Sequence, residues 1–150
     1  MHPAVEIANK YVQLAEKEKS LFTHMKLQKL IYIANGISLA LNDEPLISEH
    51  VEAWPYGPVI SSVYHTYKVF GTSNICLGVF GQYPLDVALS NDETTPFLDA
   101  WQIAKSVDAI KLSNWTHNPN SPWSKAKAEN LSVIPDEYMQ EFFKTFLVGK

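Results

Sequence analysis

Six residues of this sequence are of the types that most often serve as nucleophiles, bases or metal ligands. The histidines are scattered, with no HxxxH or His–Glu spacing that would place two metal ligands on one helix face. The lone cysteine allows neither an intramolecular disulfide nor a CxxC motif. The sequence also has no glycine-rich phosphate loop and no GxSxG nucleophile turn. We therefore predict no enzymatic activity, no metal site and no bound cofactor. The six residues are His2, His24, His50, His65, Cys76 and His117.

One arrangement keeps a catalytic alternative open. His117 lies near the end of a predicted helix, and a loop broken by Pro119 and Pro122 then closes on Trp123. A histidine at a helix C-terminus is well placed towards the helix dipole or for a buried hydrogen bond, which is the structural interpretation. A pocket formed by His117, Ser121 and Trp123 is the functional interpretation. A small hydrolase using His117 with Ser121 is the corresponding alternative function.

Charge composition argues against nucleic-acid binding. The net charge is −4, and all twelve basic residues are lysines, so no arginine is available to read guanine edges or to form a bidentate contact with phosphate. A nucleic-acid-binding domain usually carries a basic surplus. A DNA-linked transcriptional autoregulator is therefore kept only as an alternative function.

Chain length and hydropathy limit the number of domains and the kinds of location that this protein can have. A chain of 150 residues is one domain's worth, so residues 1–150 are predicted to form a single compact domain. No apolar run approaches the roughly 20 residues that cross a bilayer, and the first residues do not resemble a signal peptide. The expected location is cytoplasmic, without a membrane partner.

Apolar periodicity predicts a mainly α (α+β) fold with about six helices. We expect helices from Pro3 to about Lys19, from Thr23 to Leu41, from Pro58 to Gly71, and from Pro96 to Ala104. A fifth is capped by Ser106 or Asp108 and runs towards His117, and a last one begins at Pro135, with a short turn of helix at 124–130. A two-stranded β-element is predicted near residues 46–54. Residues 72–91 are predicted to be irregular, with a short strand at 75–80.

Three segments combine residue types that a plain helical scaffold does not need. In the first, MKLQKLIY at residues 25–32, Lys26 and Lys29 lie about one turn apart. They form either a cationic spot or a solvated helix face whose lysine stems cover apolar surface. In the second, VEAWPYGPVI at residues 51–60, a turn is completed by Gly57 and Pro58. The rings beside it either fill a gap in the core or, for Tyr56, contact a partner.

The third segment is WTH at 115–117 leading to SPW at 121–123. In this order and at this spacing, the three segments resemble the Panacea domain of SocA-like antitoxins. The resemblance implies a cytoplasmic bacterial or phage-borne antitoxin, which neutralises a toxin encoded beside it by protein–protein contact. Presentation of that toxin to a protease is the other route considered. The motif residues that we take as candidate protein-binding residues are Lys26, Gln28, Lys29, Tyr32, Trp54, Tyr56, Gly57, Pro58, Tyr64, His117, Ser121, Pro122 and Trp123.

Overall fold

The computed structural model describes residues 1–76 and 87–149 and confirms a mainly helical fold with a small antiparallel ribbon. None of the helices in these residues is long and apolar enough to span a bilayer. The helices are α1 Ala4–Lys17, α2 His24–Asn42, α3 Ser61–Tyr67, α4 Asn91–Ala104, α5 Ala109–Thr116, α6 Pro122–Ala128 and α7 Asp136–Val148, with a 3-10 turn at Lys68–Phe70. The strands are β1 Glu52–Trp54 and β2 Gly57–Val59.

Helix α2 is the central element of the core. Every residue from Leu27 to Leu39 is buried, and the helix packs chiefly against α4 and α7. Its N-terminus is fixed as the sequence predicts, because the Thr23 hydroxyl accepts a hydrogen bond from the backbone N–H of Lys26. A helix buried on all sides must satisfy each of its polar side chains inside the protein.

The first strand of the ribbon lies within the predicted residues 46–54, and the second lies just beyond them. Asn35, which is buried in α2, accepts the backbone N–H groups of Leu46 and Ile47 at 2.8 and 3.3 Å. Ile47 forms an isolated parallel bridge with His2, so neither residue belongs to the ribbon. Pro58 lies in β2, opposite Ala53, instead of starting a helix. The pairing tolerates a residue without an N–H because Ala53 donates its own N–H to Ser132, on the other side of β1.

Helix α4 begins before its proline. Ser90 and Glu93 form a capping box, which starts the helix at Asn91, whereas the sequence alone predicts a start at Pro96. Pro96 cannot donate to the carbonyl of Asp92, and Asn42 supplies the missing donor at 2.8 Å. Residues 72–76 and 87–90 are irregular, as predicted, while most of the strand predicted at 75–80 lies outside the described residues. Helix α6 starts two residues earlier than predicted, at a proline in its first position.

Gly36 marks a close approach of α7 to α2. Glycine inside a helix costs free energy relative to alanine, so its presence here indicates that another backbone packs close. The structure places the ring of Phe143 there instead, and an added Cβ would lie 2.1 Å from a ring carbon. The Phe143 side chain is fully buried and also contacts Tyr32 edge-to-face, so it has little room to move away.

We predict that Gly36→Ala lowers the free energy of unfolding by about 1–3 kcal/mol, because overpacking outweighs the helix propensity gained. Urea unfolding of the variant and the wild type measures the difference. Phe143→Leu is the matched background, in which the same Gly36→Ala change should cost clearly less. An equal cost in both backgrounds would show that the ring is not the cause.

Candidate functional site

The turn that joins β1 to β2, Trp54–Pro58, is held through its backbone carbonyl groups. We call these five residues the Tyr56 turn. The indole N–H of Trp123, in α6, donates to the carbonyl of Trp54 at 2.7 Å. His117, at the end of α5, places Nε2 at 3.4 Å from the carbonyl of Pro55. Trp123 therefore fixes the Tyr56 turn from about seventy residues away in the sequence, and the ring of His117 lies beside it.

Lys29 holds the centre of the same turn from α2. Its Nζ donates to the carbonyl oxygens of Tyr56 and Pro58, each at 3.1 Å. The side chain is 1% exposed, so it does not form the solvated helix face that the sequence allows. Burial lowers the pKa of the Lys29 ammonium to about 8, and within the described residues no ion pair includes it. A buried cation usually pairs with a carboxylate, and here two carbonyl dipoles take its place.

Gly57 is required by this arrangement. Its φ of +109° is strained for any residue with a side chain. An added Cβ would also lie 3.1 Å from ring atom Cε1 of His117 and from Oγ1 of Thr116, and 3.2 Å from Nζ of Lys29. The glycine thus lets α2 and α5 approach the ribbon from both sides.

The Tyr56 side chain points away from this fixed backbone. It is 73% exposed, although the carbonyl of the same residue accepts the hydrogen bond from Lys29. The Ser113 hydroxyl lies 3.5 Å from that carbonyl as well. An exposed aromatic ring on an immobilised backbone loses little entropy when it binds, and tyrosine is enriched among residues that dominate interface energetics.

The remaining residues of the first segment do not lie on the surface of this site. Gln28 is buried and pairs with both backbone groups of Ile60, which orients the start of α3. Tyr32 is 1% exposed beneath the surface, and its hydroxyl has no partner among the described residues. Lys26 turns the other way and donates to the carbonyl of Lys105 at 2.9 Å.

Trp54, the first residue of the turn, packs against Tyr64 of α3. Trp54 and Tyr64 contact edge-to-face with centroids 4.9 Å apart, and both are half-buried. The indole N–H of Trp54 donates to Glu52 at 3.2 Å. These are the contacts expected of aromatic rings that fill a gap in the core.

The third segment brings His117 and Trp123 together but engages Ser121 elsewhere. The two rings have centroids 4.2 Å apart. The hydroxyl of Ser121 donates to the carbonyl of Thr116 at 2.7 Å and accepts from the N–H of Ser124 as the cap of α6. Since Ser121 is also 1% exposed, its hydroxyl neither contacts His117 nor opens to solvent as a hydrolase nucleophile needs. Pro122 is buried in the first turn of α6.

Ser113 belongs to this site although the sequence analysis does not identify it. Its carbonyl lies 2.5 Å from Nδ1 of His117, so that nitrogen carries a proton and the ring orientation is set. The only sequence signal for this contact is the spacing of four residues between Ser113 and His117, and that spacing is common in helices. Among residues 1–76 and 87–149, no group of three His, Cys, Asp or Glu side chains is arranged to hold a metal ion.

Comparison with known proteins assigns the chain to a family. The model of a family described as "Antitoxin SocA-like, Panacea domain" matches residues 27–124, about two thirds of the chain. The chain belongs to the SocA-like antitoxin family, in the Panacea group. The match begins two residues before Lys29 and ends one residue after Trp123, so it includes every residue that holds the Tyr56 turn.

A curated relative of the family supports the assignment. The chain is 33% identical to Antitoxin SocA of Caulobacter vibrioides (strain NA1000 / CB15N) over 69 residues. These residues make up 46% of this chain. The matched stretch spans 37% of that protein's length. No solved structure matches this member of the SocA-like family.

We predict that Lys29→Met removes a specific pH dependence of stability. The unfolded lysine holds its proton up to about pH 10.5, whereas the folded one releases it near pH 8, so stability rises with pH between these values. Between pH 7 and 9.5, the free energy of unfolding of the wild type should rise by about 2 kcal/mol relative to that of the variant. Denaturant unfolding at several pH values measures this difference.

The exposed Lys144 on α7 gives the matched control. Lys144→Met should leave the pH dependence of the wild type unchanged. If Lys29→Met and Lys144→Met behave alike across this pH range, the burial of the Lys29 ammonium is not supported.

Proposed function

We propose that this chain is the antitoxin of a toxin–antitoxin pair and that it neutralises the toxin by direct protein–protein contact centred on Tyr56. Membership of the SocA-like antitoxin family supports the role in general. The observation that carries the contact is the 73% exposure of Tyr56 on a turn held by Lys29 and Trp123.

The physical argument concerns the cost of binding. A flexible loop loses conformational entropy when a partner orders it, and that loss is subtracted from the affinity. The Tyr56 turn is already ordered, since Lys29 of α2, Ser113 of α5 and Trp123 of α6 donate to its carbonyl groups. The ring can then enter a pocket on the toxin with most of its contact energy retained. A stable complex would bury about 800 Å² on each partner around this ring.

We predict that Tyr56→Ala weakens toxin binding by roughly thirtyfold or more, which corresponds to about 2 kcal/mol for an interface hot spot. The toxin to test is the product of the gene beside this one. Co-expression measures neutralisation as restored growth, and titration of the purified partners measures affinity. The fold should be unaffected, because the Tyr56 side chain is mostly exposed and its carbonyl contacts remain.

Leu41→Ala is the matched control, since Leu41 is 52% exposed at the opposite end of α2. It should neutralise the toxin as the wild type does. If wild-type protein neither restores growth nor binds the toxin, the proposed role is contradicted. If Tyr56→Ala neutralises normally, the proposed contact is contradicted. Toxin abundance in the same cells separates blocking of the toxin from its delivery to a protease, because only delivery lowers the abundance.

A further inference from the structure

His117 places both of its ring nitrogens beside carbonyl oxygens. Nδ1 lies 2.5 Å from the carbonyl of Ser113 and donates to it. Nε2 lies 3.4 Å from the carbonyl of Pro55. A neutral imidazole carries one N–H, so with that proton on Nδ1 the Nε2 atom is an acceptor and forms no bond with the Pro55 oxygen. The imidazolium form, in contrast, can donate to both carbonyls at once.

The Pro55 carbonyl differs in this respect from three other carbonyls of the Tyr56 turn. Those of Trp54, Tyr56 and Pro58 accept from an indole N–H and from an ammonium group, which keep their protons near neutral pH. Pro55 instead faces a ring that gains or loses the necessary proton. The separation of 3.4 Å exceeds that of a formed N–H···O bond by about half an ångström, so a small movement of the ring closes it.

Three features of its surroundings favour a protonated His117 ring. The residue caps the C-terminal end of α5, where the helix dipole favours a positive charge. The ring lies against the indole of Trp123 with centroids 4.2 Å apart, and the π electrons of an indole attract a cation. The carbonyl oxygens of Ser113 and Pro55 are the third feature, since each accepts more strongly from a charged donor.

Lys29 is the charged group that opposes this protonation. Its Nζ and Cε1 of His117 lie close to the same point, because a Cβ on Gly57 would be 3.2 Å from the first and 3.1 Å from the second. On α5 itself, Asp108 and Lys111 are near the opposite end of the helix, more than one turn away. The repulsion from Lys29 is present both before and after a partner binds, so it does not cancel a gain that arises on binding.

Other charged side chains on the elements around this ring are engaged elsewhere. Lys26 of α2 donates to a backbone carbonyl at the end of α4, and Lys125 of α6 lies 4.0 Å from the centroid of a tyrosine ring in α7. Glu52 of β1 accepts from the indole N–H of Trp54. Lys127 is exposed in the last turn of α6, and β2 contains no charged residue. The proton on His117 is therefore governed by Lys29 and the three features that favour it.

Toxin binding changes what the Pro55 carbonyl needs. In the free protein this carbonyl is open to water, because Pro55 and Tyr56 are both exposed. A toxin that covers about 800 Å² around the Tyr56 ring also covers Pro55 and removes that water. A carbonyl that loses its water without gaining another donor costs free energy. Protonation of His117 removes this cost, since Nε2 then has an N–H to donate.

We propose that His117 takes up a proton from solvent when the toxin binds at Tyr56, and that its Nε2–H then bonds the Pro55 carbonyl in the covered turn. This inference rests on the proposed function and adds to it a regulation by pH. The complex keeps the proton to a higher pH than the free protein does. Binding is therefore strongest at the acid end of the titration and weakens as the pH rises.

The first test is affinity for the toxin encoded by the neighbouring gene, measured at pH 5.5, 6.5 and 7.5. Lys29 stays mostly protonated in this range, because its pKa is about 8. From pH 7.5 to 5.5, wild-type binding should strengthen roughly tenfold more than binding by His117→Phe, which corresponds to a change of about one pKa unit on binding. The phenylalanine keeps a ring against Trp123 but has no nitrogen to titrate.

His50→Phe is the matched control, since His50 is an exposed histidine in the loop before β1. It should keep the pH dependence of the wild type. His117→Gln is the second variant if His117→Phe does not fold. Its amide N–H does not titrate, so binding by this variant should also lack the additional strengthening in acid.

Proton uptake on binding is the second measurement. Calorimetry at pH 6.5 in two buffers of different ionisation enthalpy counts the protons, and the wild type should take up roughly half a proton more than His117→Phe. Equal uptake and an equal pH dependence in the two proteins would overturn the role of His117, while toxin binding itself would leave the proposed function standing. Wild-type binding that weakens in acid relative to the variant would also overturn it, since the toxin would then supply the donor to Pro55. Absence of wild-type binding at every pH would instead contradict the proposed function.

Discussion

The arrangement of the site depends on one buried ammonium group. Lys29 is in the central helix and donates to two carbonyl oxygens of the Tyr56 turn. A buried cation without a carboxylate is costly unless dipoles are fixed close to it. The turn supplies those dipoles only in its present shape, with Gly57 at positive φ. The lysine and the turn are therefore mutually dependent, and each restricts the conformations open to the other.

This dependence connects a buried helix to an exposed ring. Because α2 packs against α4 and α7, the position of Lys29 is set by the core of the protein. The turn takes its position from Lys29, and Tyr56 takes its direction from the turn. The stability of the core thereby contributes to the preorganisation of a surface contact. An interaction surface of this kind needs no large apolar patch, because one well-placed ring can supply much of the binding energy.

The helices could be predicted from the sequence, whereas the site could be predicted only in part. Apolar periodicity identifies α2, and Thr23 caps it. Asp108, one of the two residues expected to cap α5, does so, and α7 starts directly after Pro135. The role of Lys29 does not follow from the sequence. Lysines on a helix usually reach solvent, and the partners here are backbone carbonyls some thirty residues away.

Two other differences come from hydrogen bonds that apolar periodicity does not register, one of them a local capping box and the others between distant segments. The start of α4 depends on the capping pair Ser90 and Glu93, and Pro96 is tolerated inside the helix because Asn42 bonds the carbonyl that it leaves free. Leu46 and Ile47 do not join the ribbon, because the buried Asn35 takes their N–H groups and Ile47 bridges to His2. Side chains that bond backbone groups of distant segments leave no periodic signal.

The pKa of the Lys29 side chain tests the central claim most directly. NMR of lysine labelled at Cε, assigned by comparison with the Lys29→Met variant, follows each ammonium group through its titration. The structure predicts one lysine that titrates at about pH 8, at a position that the variant lacks. If Lys29 titrated near its ordinary value of 10.5, its ammonium would be solvated, and the account of the Tyr56 turn would be contradicted.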